Sequence, residues 1–167
     1  MSSAFTLIED AVLGSAAASI TFSDLGGYTK FRLTLYFIQD AGVSGEPPRF
    51  RFNGDTGTNY ARQGTSASST TVAGARVTGQ TSIDPAYSSS PVASTQGLIT
   101  LEISKPLTTT PARVTAAASF MGAGPAIVYN ASSAEWNNTA DLISSIAVYR
   151  ASNEFAANTR AVLEGAA

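Results

Sequence analysis

At 167 residues the chain is the size of one domain, and its 44% hydrophobic content argues against global disorder. A net charge of −2 with no cysteine and no histidine removes disulfides, thiolate zinc sites, the commonest general base and the Ser-His-Asp triad. Only 13% of residues are charged, against a globular average of roughly 25%; so weakly charged a surface points to close contacts with other subunits, or else to a genome biased toward alanine and glycine.

The first ten residues carry no basic segment and no long apolar run, so no secretory signal is expected. No stretch of the chain approaches 18 consecutive apolar residues, so no membrane span is expected either. Phe5, Leu7 and Ile8 lie in a short strand signal that either opens the domain's own sheet or forms an arm laid against a neighbour. Residues 11–18 are alanine-rich and long enough only for a brief helix, and residues 19–22 read as a strand. After a turn at 24–27 comes the clearest signal, residues 30–39. Phe31, Leu33, Leu35 and Phe37 alternate there with Lys30, Arg32, Thr34 and Tyr36, a period of two with one face in a core.

A turn-rich stretch at 41–48 leads into a strand at 49–53. Residues 64–94 are crowded with Ser, Thr, Gly and Ala and read as an excursion from the domain, functional or ordered by a partner. Alternation returns at Ile99, Leu101 and Ile103 and at Val114, Ala116, Ala118 and Phe120. A turn at 122–125, a strand at 125–130, a β-branched stretch at 142–150, a turn at 153–158 and a last strand at 160–164 complete the chain. Many short strands punctuated by Gly and Pro, without interleaved helical patterns, predict one antiparallel β-sandwich over residues 1–167, with roughly eight to ten strands and little helix.

One segment has a specific local chemistry. The strand ending Phe50-Arg-Phe runs into Asn53 and Gly54, then Asp55 and Gly57, and closes on Tyr60. Asn and Asp side chains bond their own backbone and the glycines accept positive φ, so a tight structural turn is expected, with the Tyr60 ring beneath it. Asn53, Asp55 and Asn59 also offer oxygens to calcium, but the EF-hand spacing and its closing Glu are missing. Trp136, the lone tryptophan, reads as a lid on the core or a platform for a ligand or neighbour. Arg150 and Arg160 flank the last turn and suggest exposed pairs with Glu154 and Glu164.

Without histidine or cysteine, only carboxylate chemistry of the glycosidase kind is left for an enzyme, and no pair of acidic residues is marked out for it. Basic residues are scattered apart from Lys30/Arg32 and Arg49/Arg51, too sparse for a phosphate-binding stripe. The expectation is a protein with no cofactor, metal, nucleic acid or membrane partner, working by binding and assembly.

The run Phe50-Arg-Phe-Asn-Gly-Asp-Thr-Gly-Thr-Asn-Tyr60 resembles a motif in small virion structural proteins of tailed bacteriophages. The strand from Tyr28 to Tyr36 and the ending from Asp141 to Tyr149, followed by Phe155 and the run Asn158 to Leu163, fit the same pattern. These blocks cover less than half of the chain, and residues 64–125 have no counterpart in them. The resemblance implies a jelly-roll-like fold and a virion component assembled in the host cytoplasm. A capsid decoration (cement) protein comes first: a trimer or dimer contacting the major capsid protein, with Phe5, Leu7, Ile8 and Trp136 at contacts. A tail or fibre module meeting a host surface glycan is the alternative.

Overall fold

A computed structural model describes residues 4–40, 46–86, 91–122 and 126–167. Eleven strands and no helix occur among them: β1 (Thr6–Val12), β2 (Ser19–Phe22), β3 (Lys30–Ile38), β4 (Arg49–Phe52), β5 (Tyr60–Ser68), β6 (Thr71–Gln80), β7 (Gln96–Ser104), β8 (Ala112–Met121), β9 (Ile127–Trp136), β10 (Ile146–Tyr149) and β11 (Arg160–Ala166). They form two antiparallel sheets, one of eight strands in the order β1-β11-β3-β7-β8-β9-β5-β6 and one of three in the order β2-β10-β4. The fold is therefore an all-β sandwich, with a broad layer facing a narrow one.

The alternation in β3 does what its period requires. Phe31, Leu33, Leu35 and Phe37 are buried, and they meet the inward residues Ile99, Leu101 and Ile103 of β7 and Ala161 and Leu163 of β11. From the narrow sheet Ile20, Phe22, Phe50, Phe52, Ile146 and Val148 close the core. Each such side chain, once fully buried, contributes roughly 1.5–3 kcal/mol.

Three expectations change. Residues 11–18 hold no helix: β1 runs on to Val12, and Ala17 makes an isolated bridge to Phe155. The polar stretch 64–94 is only partly loop, because residues 60–80 build the hairpin β5–β6, paired along its length and joined to β9. Small polar residues carry little alternation, so a strand made of them is silent in sequence. The 142–150 strand shortens to Ile146–Tyr149 because Asn53 holds residues 142–145 in a loop. The turn residues 41–45 and 123–125 lie outside the described residues, as do residues 87–90 of the 64–94 stretch.

Candidate functional site

The turn after β4 is a structural clamp. Asn53 and Gly54 have φ of 53° and 65°, and the Asp55 amide donates to the Phe52 carbonyl at 2.9 Å, the arrangement of a type I′ turn. The Asn53 side-chain Oδ1 accepts from the Ser144 amide at 2.8 Å and the Ser145 amide at 3.1 Å, while its Nδ2 donates to the Leu142 carbonyl at 2.8 Å. Asp55 accepts from Trp136 Nε1 at 2.6 Å, Asn59 Nδ2 at 2.9 Å and the Gly57 amide at 2.8 Å. A Cβ on Gly57 would come to 3.0 Å from the Asp55 carboxylate and 2.9 Å from the Asn59 side chain, so a larger residue there would push on both bonded groups. Burial pushes the Asp55 carboxyl up, but these hydrogen bonds outweigh it and hold its pKa below the ordinary value. The side-chain oxygens of Asn53 and Asp55 that suggested calcium are thus spent on the protein's own donors.

Tyr60 lies beneath the turn. Its hydroxyl accepts from the Phe52 amide at 3.1 Å, and burial raises its pKa well above the ordinary tyrosine value. Its ring stacks near Trp136 at 6.5 Å between centroids. Trp136 is 0% exposed, and the buried Lys105 ammonium sits 5.5 Å over its ring while donating to the carbonyls of Thr110 (2.6 Å) and Asn138 (2.7 Å). Trp136 is a core residue and offers nothing to a ligand or neighbour.

Phe5, Leu7 and Ile8 separate. The Phe5 ring lies 4.6 Å under the Arg32 guanidinium, Ile8 packs on the core, and Leu7 is exposed. The expected pairing of Arg150 with Glu154 gives way to burial: Arg150 donates to the Gln39 side chain and, at 2.6 Å, to the Glu46 carbonyl. Arg160 bonds Asp10 on β1, at 2.6 and 2.7 Å, instead of Glu164.

Carboxylate chemistry finds one foothold. Burial raises the Asp84 pKa to about 6, against the pull of Arg62 and Arg49 and with the nearby Glu46 adding to the rise. Asp84 also accepts from the Ala86 amide at 3.0 Å. The crevice it shares with Arg49, Arg62, Gln80 and Ser82 holds only about 70 Å³. Ligand sites run to roughly 300–1,000 Å³, so there is no room for a sugar ring.

The large feature is the outer face of the eight-stranded sheet, away from the narrow layer. The strand registers align one residue from each strand in a single row: Val12, Arg160, Tyr36, Leu98, Ser119, Tyr129, Ala67 and Val72. Val12, Tyr36, Leu98, Tyr129 and Val72 are all exposed. At about 4.8 Å between strands the row is about 34 Å long. Beside it, Ile127 and Met121 line a groove of about 380 Å³ with Tyr36 and Leu98. The next row is small and neutral except at its edge: Asp10, Val162, Thr34, Thr100, Ala117, Ala131, Thr65 and Gly74. Further along, charges cancel in pairs, Arg32 lying 3.5 Å from Glu102 and 3.8 Å from Glu164, and Arg113 bonding Glu135.

The exposed row escaped the reading of the sequence, yet it left a trace. Tyr36 and Leu98 occupy the polar phase of their strands, as do Ile127 and Tyr129, where alternation alone expects Thr or charge. No family model matches the chain, and no curated protein or solved structure matches it.

Proposed function

We propose that this chain is a non-enzymatic structural protein of a bacteriophage virion, first of all a capsid decoration protein that steadies the shell through subunit contacts. The observation that carries the assembly role is the row across the outer face in which five of the eight strands expose a large apolar side chain, bordered by small residues and mutually neutralised charges. A flat surface of that kind sheds little bound water on contact and needs no converging catalytic groups. The virion assignment rests on the resemblance of the blocks at 28–36, 50–60 and 141–163. The working partners on this reading are other copies of the chain and the major capsid protein.

Tyr36 and Tyr129, exposed on the same row beside the groove, favour a second reading: a tail or fibre module that binds a host surface glycan. The test is co-sedimentation of the purified protein with shells of the major capsid protein from the same phage, followed by shell melting. Binding to shells together with a raised melting temperature is expected, and Leu98→Asp with Tyr129→Asp abolishes both. Protein that leaves shells unbound and instead retains host polysaccharide overturns the decoration role in favour of the second reading.

A further inference from the structure

The two edges of the broad sheet are built differently, and the difference is complementary. No residue of β1 or β6 is buried, and among the described residues no strand pairs with the outer edge of either. An unpaired edge presents a row of free N–H and C=O groups to any passing strand. β6 is thinly protected, its one irregularity lying at the far end, where the register shifts between Val77 and Gln80 and Gly79 takes a φ of 64°. It contains no proline, lysine or acidic residue in ten positions, and its sole charge, Arg76, has no ion-pair partner among the described residues. β1 is acidic, with Glu9 and Asp10 adjacent, and carries a register irregularity between Leu7 and Glu9.

Strand count then decides the direction of pairing. Every neighbouring pair in the sheet is antiparallel, and the number of strands is even, so β1 and β6 run in opposite directions. A copy that continues the sheet therefore brings its β1 antiparallel to β6, with both core faces on the same side. An odd count would have forced the weaker parallel pairing. Charge selects among the possible edge contacts. Two β1 edges set Glu9 against its like, two β6 edges bring arginines together, and only β6 against β1 joins unlike charges, Arg76 meeting Glu9 and an Asp10 that it would share with Arg160. Arg76 and Asp10 share the outer face, as their partners Gln63 and Val162 do. The exposed row begins at Val12 on one edge and ends at Val72 on the other, so the same junction carries the apolar row across the boundary.

We infer that the protein associates head to tail with further copies of itself, the β6 edge of one chain adding to the β1 edge of the next. Such a heterologous contact closes into a ring when the rotation between copies permits. The inference is independent of the virion reading, since self-association in solution and capture by shells are measured separately.

The chain has no cysteine, which makes cross-linking clean. Val12→Cys and Val72→Cys are made as separate proteins, and each alone and their equimolar mixture is treated with a short bismaleimide. The expected result is a covalent dimer, twice 17.2 kDa, in the mixture and in neither protein alone. Arg76→Glu, at an exposed residue with no ion pair among the described residues, is expected to weaken association in sedimentation by about tenfold while leaving the unfolding midpoint unchanged. Self-linking of the Val72→Cys protein alone overturns the head-to-tail contact in favour of a two-fold β6 pairing. A 17.2 kDa monomer at every concentration, with no cross-link in the mixture, overturns edge association altogether.

Discussion

Removing the Asp55 carboxylate by Asp55→Ala tests whether the turn after β4 is a clamp on the core. Three donors lose their acceptor: Trp136 Nε1, Asn59 Nδ2 and the Gly57 amide. Gly57 and Asn59 are exposed and turn to water, at a cost of roughly 0.5–1 kcal/mol together. Trp136 is wholly buried, and its stranded N–H costs roughly 1–3 kcal/mol. The expected loss is therefore about 1.5–4 kcal/mol, measured by urea unfolding with the sole tryptophan as fluorescent reporter. In a Trp136→Phe background, followed by far-ultraviolet circular dichroism, that N–H is already gone, so Asp55→Ala is expected to cost only about 1 kcal/mol. The carboxyl pKa lies below its ordinary value in the folded state, so its stabilisation is complete above about pH 4 and fades as pH falls through the folded value. Equal costs in the two backgrounds, or a cost under about 0.5 kcal/mol, would refute the clamp.

Asp84 works in the opposite sense. With its pKa raised to about 6 by burial, the folded state resists its ionisation, so stability is highest below about pH 4 and declines as pH rises to about 6. Asp84→Asn is expected to abolish that slope and to stabilise the protein at pH 7 by about 2 kcal/mol; an unchanged slope sinks the assignment. Asn130 is 0% exposed, and among the described residues neither its side-chain Oδ1 nor its Nδ2 has a partner. Asn130→Leu, of similar volume, is therefore expected to stabilise by about 1–2 kcal/mol in thermal unfolding, and destabilisation would show that the amide is satisfied in solution. Asn53→Ala loses the side-chain bonds to Leu142, Ser144 and Ser145 and also puts at φ 53° a residue that tolerates the left-handed region less well than asparagine. A loss of about 2–3 kcal/mol is expected by calorimetry, with Asn53→Gly recovering only the backbone share, about 1 kcal/mol.

Period-two alternation is a local property, and wherever large apolar residues carried it the strands were legible. The segment from Phe31 to Phe37 is the clearest case, and Ile99 to Ile103 and Val114 to Phe120 follow it. The Asn53-Gly54 turn was legible for the same reason, because the residues that bend the backbone are adjacent in the chain. Tertiary structure alone decided the rest. β5 and β6 are written in Ser, Thr, Ala and Gly, whose phase is invisible until β9 supplies a partner. Trp136 was open to two readings because its acceptor, Asp55, lies 81 residues away. The exposed row and the unlike edges arise from seven strand registers acting together, most of them joining residues far apart in sequence. Sequence by itself determines which residues can lie on a strand face; only the pairing of strands determines which faces and edges are left for a neighbour to meet.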